Sequence, residues 1–149
     1  MDKNKIEKGA LWASFQLSNG DWIDGEIYLS LYDEHHLGAQ TLDDLLSRGS
    51  RFIPVKTKDR VLLLNIHHIL QAKIDSNKQE DDLMRLGPKH SVTVKTILGE
   101  VVTGDIFISL PEGRQRVKDY ANATAGFFRI FQAGDILYLN PRHILSMHD

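Results

Sequence analysis

The densest group of side chains that could bind a metal ion or move a proton is Asp33-Glu34-His35-His36. A metal site needs ligands that converge on one point, whereas neighbours in an extended chain point apart, and the sequence contains neither His-x3-His nor His-Glu-x-x-His. The quartet therefore reads as a solvated loop, with no metal expected. Asp43-Asp44 and Asp81-Asp82 open helical stretches, where carboxylates interact favourably with the helix dipole, and so do not suggest a paired acid and base. There is no Ser-His-Asp order and no phosphate-cradling glycine loop, and the absence of cysteine excludes disulfides, thiol catalysis and cysteine-bound zinc. The expectation is a protein that is not an enzyme and needs no cofactor.

Arg114, Arg116 and Lys118, with Arg129 and Arg142, are the candidates for holding an anion or nucleic-acid phosphates. Their surplus is local. Residues 76–149 carry nine basic and nine acidic side chains, and the whole chain has a net charge of -2 with a pI near 6.4, so no global field draws it to nucleic acid or an anionic membrane. No apolar run approaches the roughly 20 residues of a membrane span, and the first residues lack the apolar stretch of a signal peptide. A cytoplasmic protein without membrane contact is expected.

The elements that position these residues come twice. Leu64-Asn65-Ile66-His67-His68-Ile69-Leu70 returns as Leu139-Asn140-Pro141-Arg142-His143-Ile144-Leu145, 75 residues on. The same offset places Val55 on Ile130, Phe52 on Phe127 and Asp44 on Asp119. Upstream the offset is 79, pairing Gly20 with Gly99 and Gly25 with Gly104, so one unit holds a four-residue insertion between Leu31 and Thr41. Recurrence on this scale points to an internal duplication. In each copy, period-two alternation predicts a strand (Ala13, Phe15, Leu17; Val92, Val94), then a glycine turn and a second strand from Trp22 or Val101. Gly25 and Gly104 sit in mid-strand, where a missing side chain marks a bend or a close backbone approach. A short helix follows, Leu42 to Leu46 with Thr41 as N-cap and Asp44 completing a capping box, or Val117 to Ala121. Strands at Phe52 to Lys56 and Val61 to Leu64, or Phe127 to Phe131 and Ile136 to Leu139, lead to a tight turn at the Asn and a short last strand. The paired His68 and His143 would cap that turn on a backbone carbonyl, and His67 would point outward.

The expected architecture is mainly β: two tandem five-stranded small barrels, each with a short helix between strands 2 and 3. Residues 9–75 form the first, residues 91–149 the second, and residues 76–90 a linker with a short helix signalled by Ser76, Gln79, Gly87 and Pro88. Five strands, a bent second strand and a tight final turn resemble the Sm-like fold, an SH3-like barrel of RNA-associated proteins. That family places Arg-Gly in the final turn, where this chain has Asn65-Ile66 and Asn140-Pro141; the resemblance implies RNA or nucleotide binding as the alternative function. The tandem layout also resembles uncharacterised bacterial β-domain proteins.

Strand parity puts Trp12, Tyr28, Leu63, Phe107 and Tyr138 on the face opposite the core, with Val61 and Ile136 beside them. Matched apolar pairs on that face mark a surface covered by the other unit or by a partner. The leading expectation is a non-catalytic interaction or scaffold module, acting through protein-protein contacts or self-association.

Overall fold

Apolar alternation lays down strands, and glycine turns set how they pair. The computed structural model describes residues 8–30, 41–47, 49–76 and 82–149. Its strands are β1 (Lys8–Leu17), β2 (Trp22–Ser30), β3 (Phe52–Lys56), β4 (Val61–Asn65), β5 (Ile69–Asp75), β6 (Lys89–Thr96), β7 (Val101–Phe107), β8 (Phe128–Gln132), β9 (Asp135–Leu139) and β10 (Ile144–His148). Two helices, α1 (Leu42–Ser47) and α2 (Val117–Ala123), precede β3 and β8. The capping box of α1 forms as expected: the Thr41 N–H donates to Asp44 Oδ2 at 2.9 Å, and the Asp44 N–H donates to Thr41 Oγ1 at 3.2 Å. In the linker, Asp82–Arg85 form a 3-10 turn; residues 77–81 lie outside the described residues, as does the Asp33-Glu34-His35-His36 quartet.

The strands do not close into two separate barrels. They form one antiparallel ten-stranded sheet in the order β10-β6-β7-β8-β9-β5-β1-β2-β3-β4. The physical reason is the partner chosen by β5. One edge of β5 pairs with β1, and the other pairs with β9 from Gln71↔Leu139 to Asp75↔Asp135, so neither half closes on itself. Residues 8–75 read β5-β1-β2-β3-β4 and residues 89–148 read β10-β6-β7-β8-β9, the same order in each half, and the sheet ends at β4 and β10.

The sheet bends sharply where β2 meets β3 and where β7 meets β8, since each pair shares a single register match, Glu26↔Lys56 and Asp105↔Phe131. Gly25 and Gly104 allow this approach. A Cβ on Gly25 would lie 2.6 Å from the Lys56 carbonyl oxygen, and one on Gly104 would lie 2.7 Å from that of Phe131. The bends wrap the sheet around two apolar cores. Phe15, Ile27, Leu42, Ile53 and Ile69 build the first, and Val94, Ile106, Ile130 and Leu139 build the second. β9 serves both: Ile136 and Tyr138 enter the first core, while Leu137 and Leu139 enter the second.

Asn65 and Asn140 cap 3-10 turns, their side chains accepting the N–H of His67 at 3.0 Å and of Arg142 at 3.1 Å. The histidines two to three residues on share a backbone role. The carbonyl of His68 accepts from the Ser18 N–H at 2.8 Å, and that of His143 accepts from the Ile97 N–H at 2.9 Å. Their rings diverge: His143 Nε2 lies 2.7 Å from the His67 carbonyl oxygen, which requires a proton on Nε2, whereas His68 Nδ1 meets the Ser18 hydroxyl at 3.1 Å. The expected ring-to-carbonyl cap is thus made by His143, while the His67 side chain is exposed.

Candidate interaction surface

Across the first half, cross-strand register carries one row of outward side chains from strand to strand. Trp12 on β1 stands opposite Glu26 on β2, Glu26 opposite Lys56 on β3, and Lys56 opposite Val61 on β4. The next row places Pro54 opposite Leu63, with Phe52 beyond. Tyr28 lies two residues along from Glu26, and its hydroxyl donates to Glu26 Oε2 at 3.3 Å. Trp12, Tyr28, Phe52, Val61 and Leu63 are all exposed, an apolar surface interrupted only by the Glu26 and Lys56 charges.

The matching row of the second half is Ser91, Asp105, Phe131 and Ile136. Ser91 is exposed and Asp105 half-buried, but Phe131 and Ile136 are covered from within the chain. Phe131 meets Phe107 edge-on with ring centroids 5.3 Å apart, the Arg85 guanidinium lies 4.6 Å from the Phe131 centroid, and Tyr138 is sealed where β9 joins β5, opposite Ala72. So of the five side chains that parity assigned to the outer face, Phe107 and Tyr138 are covered inside the molecule, while Trp12, Tyr28 and Leu63 face solvent. No protein family, curated protein or solved structure matches the chain.

The basic residues do not converge. Arg114, Arg116 and Lys118 are exposed on and before the first turn of α2. Arg129 is half-buried, 3.5 Å from Asp43 on α1 and 6.0 Å from the Tyr138 ring centroid. Burial raises the Asp43 carboxyl above its usual range despite the opposing pull of Arg129. Burial likewise raises Tyr120 and pushes Tyr138 up to about 12, with Arg129 opposing in both cases. The backbone N–H of Arg129 donates to the Tyr120 hydroxyl at 3.1 Å, whereas the Tyr138 hydroxyl and Arg129 Nε have no hydrogen-bond partner among the described residues. Asp43, Tyr120 and Arg129 line a cavity of about 170 Å³.

Arg142 instead lines a cleft of about 440 Å³ together with Arg51 and His67, over a floor that includes Ile66 and Phe127. Sequence alone did not single out Arg51; only pairing of the halves brings it near Arg142. Nor was there any local signal for the Asp43–Arg129 pair, which joins α1 of one half to β8 of the other. Phe52 was the detectable addition to the exposed surface, since it shares the parity of Pro54 and Lys56 on β3. Among the described residues no cluster of three or more metal-capable side chains occurs, and no helix is long and apolar enough to cross a membrane.

Proposed function

We propose that the chain is a non-catalytic interaction module that works through protein-protein contacts, built from two five-stranded units of Sm-like, SH3-like type. One observation carries this reading. The outward face of the first half is apolar and bare at Trp12, Val61 and Leu63, while Phe131 and Ile136 in the matching row of the second half are buried. Exposed apolar surface of that kind is what partner contacts cover. The double variant Trp12→Ser/Tyr28→Ser tests it. Light scattering over a concentration series, with capture of co-purifying proteins, is expected to show assembly or stoichiometric binding for the parent chain and its loss in the variant. Unchanged behaviour by both measures would remove the reading.

A second reading, RNA or nucleotide binding, is favoured by the cleft that gathers Arg51, His67 and Arg142. Phosphate contacts of that kind weaken steeply with salt. Filter binding of single-stranded RNA at low salt should then show retention that falls in Arg51→Ala/Arg142→Ala; no retention by the parent chain rejects it.

A further inference from the structure

The internal joint between the halves leaves two unused copies of itself at the ends of the sheet. In that joint the edge of β5 pairs with β9, with Ala72 opposite Tyr138 and Ile74 opposite Ile136. Seventy-five residues separate β9 from β4 and β5 from β10, so Leu63 and Val61 stand where Tyr138 and Ile136 do, and Met147 stands where Ala72 does. The backbone geometry agrees. β5 runs against β1 with a register shift between Gln16 and Leu17, and β10 runs against β6 with the same shift between Ile144 and Ser146. β4 pairs β3 as β9 pairs β8, Ile53↔Leu64 matching Phe128↔Leu139.

Burial separates the used from the unused copies. Ile136, Tyr138 and Leu70 are fully buried, whereas Val61, Leu63 and Leu145 are 60%, 66% and 62% exposed. Val61–Asn65 and Ile144–His148 contain no proline, lysine or acidic residue of the kind that blunts a sheet edge. A turn donor is left over as well. Asn140 donates its N–H to Leu70 O at 2.9 Å and its side-chain Nδ2 to Ile69 O at 3.0 Å, while Asn65 uses Oδ1 on its own turn and its Nδ2 has no partner among the described residues.

From these matches we infer that the occupant of each end is a second copy of this chain, added head to tail: β10 of one molecule pairs with β4 of the next in the register of β5 on β9. This deepens the interaction reading above and rests on it. Met147 then lies opposite Leu63, Asp149 opposite Val61, and Asn65 meets the backbone of Leu145 and Ile144. Val61 and Leu63 enter the second core of the neighbour, as Ile136 and Tyr138 enter the first core within the chain. Such an interface is heterologous, so it propagates to a ring where the rotation closes and to a filament where it does not.

Because the chain lacks cysteine, introduced thiols report the register directly. Residues opposite one another in an antiparallel hydrogen-bonded pair have Cα atoms about 5.5 Å apart, within reach of a disulfide. Full-length Leu63→Cys and Met147→Cys chains, carrying different tags, are mixed and oxidised, and Leu63→Cys/Met147→Cys is oxidised alone. The expected result is a mixed disulfide in excess over both homodimers, a ladder of cross-linked species from the double variant, and a mass by light scattering that rises with concentration and falls to the monomer in Leu63→Lys. Leu63 is 66% exposed, so that variant should stay folded, with a thermal midpoint lower by no more than about 1–4 °C at a concentration where association plays no part. A predominance of Leu63→Cys homodimers, or assembly that survives Leu63→Lys, overturns the head-to-tail register. A chain that stays monomeric at every concentration, yet loses a co-purified partner in Trp12→Ser/Tyr28→Ser, overturns the self-pairing while leaving the wider interaction reading in place.

Discussion

Tyr138 and Leu63 hold the same position in two similar strands, yet truncating them should have very different consequences. Tyr138→Ala removes a fully buried ring from the surface where β9 meets the first core. Its hydroxyl has no hydrogen-bond partner among the described residues, so the cost is chiefly that of a large aromatic leaving a packed site, about 3–5 kcal/mol. With a urea m value of about 2 kcal/mol/M for a chain of this size, the midpoint should fall by roughly 2 M. Leu63 is 66% exposed, which leaves only about a third of its burial free energy to lose. From about 1.5–3 kcal/mol for full burial that is about 0.5–1 kcal/mol, or less than about 0.5 M. Both are read by urea unfolding followed by tryptophan fluorescence, at protein concentrations low enough that association plays no part. Equal midpoint shifts, or a Tyr138→Ala cost below about 1 kcal/mol, would refute the placement of β9 between two cores.

Substituting Gly104 by Ala should destabilise by about 1–3 kcal/mol, because the new Cβ would lie 2.5 Å from Ile130 Cγ2 and 2.7 Å from a backbone oxygen that cannot move without breaking the bend. Calorimetry should show a thermal midpoint lower by roughly 2–12 °C, and an unchanged midpoint would mean the sheet relaxes there freely. Tyr138 gives a prediction in pH. Well below pH 10 the phenol is neutral both folded and unfolded; between its ordinary value of 10.0 and the folded value of about 12 the unfolded chain ionises first, so stability falls by about 2 kcal/mol over that window. Tyr138→Phe should flatten this part of the pH profile and, by removing an unpartnered hydroxyl, match or exceed the parent by about 1 kcal/mol at neutral pH. A parallel loss in both proteins from pH 10 to 12 would count against it.

Most of the local structure was legible because it is determined locally. Asn65 and Asn140 announce their turns, Thr41 and Asp44 their capping box, and Gly25 and Gly104 the close approaches that a Cβ would prevent. Period-two alternation located the strands to within a few residues; β1 begins earlier, at Lys8, and β7 ends earlier, at Phe107. Alternation also tells which side of a strand a residue occupies, but not what lies on that side. Leu63 and Tyr138 are equivalent by that rule, and only the pairing of β5 with β9 makes one exposed and the other buried. That pairing joins Gln71 to Leu139, too distant for any local pattern, and it is also why separate barrels gave way to one sheet. The cleft of Arg51 and Arg142 was hidden for the same reason, since Arg51 carried no signal and Arg142 was grouped with the basic residues of its own half.

The differences between the two copies explain why one joint is built in and the other would be reversible. Within the chain, Lys73 Nζ lies 3.4 Å from Asp135, Arg129 pairs with Asp43, and the buried Gln16 donates to Glu100 while accepting from Gln71 at 2.7 Å. Two of these are lost over 75 or 79 residues, since Lys73 and Asp135 become His148 and Arg60, and Asp43 and Arg129 become Lys118 and Pro54, while Gln16 and Glu100 become Lys95 and Asp21, a pair of opposite charge. The apolar fit of the end strands is retained, but two of the polar contacts that hold the internal joint are missing, and one replacement sets Lys118 where a proline takes the place of its partner. Restoring one pair should therefore tighten assembly. In Arg60→Asp/His148→Lys an exposed ion pair worth about 0.2–1 kcal/mol is regained, equivalent to a roughly 1.4- to 5-fold lower dissociation constant. Sedimentation equilibrium at low salt should show that gain, and it should diminish at high salt as screening removes it. Association unchanged or weakened by the exchange would mean that β4 and β10 do not meet in the register of β9 and β5.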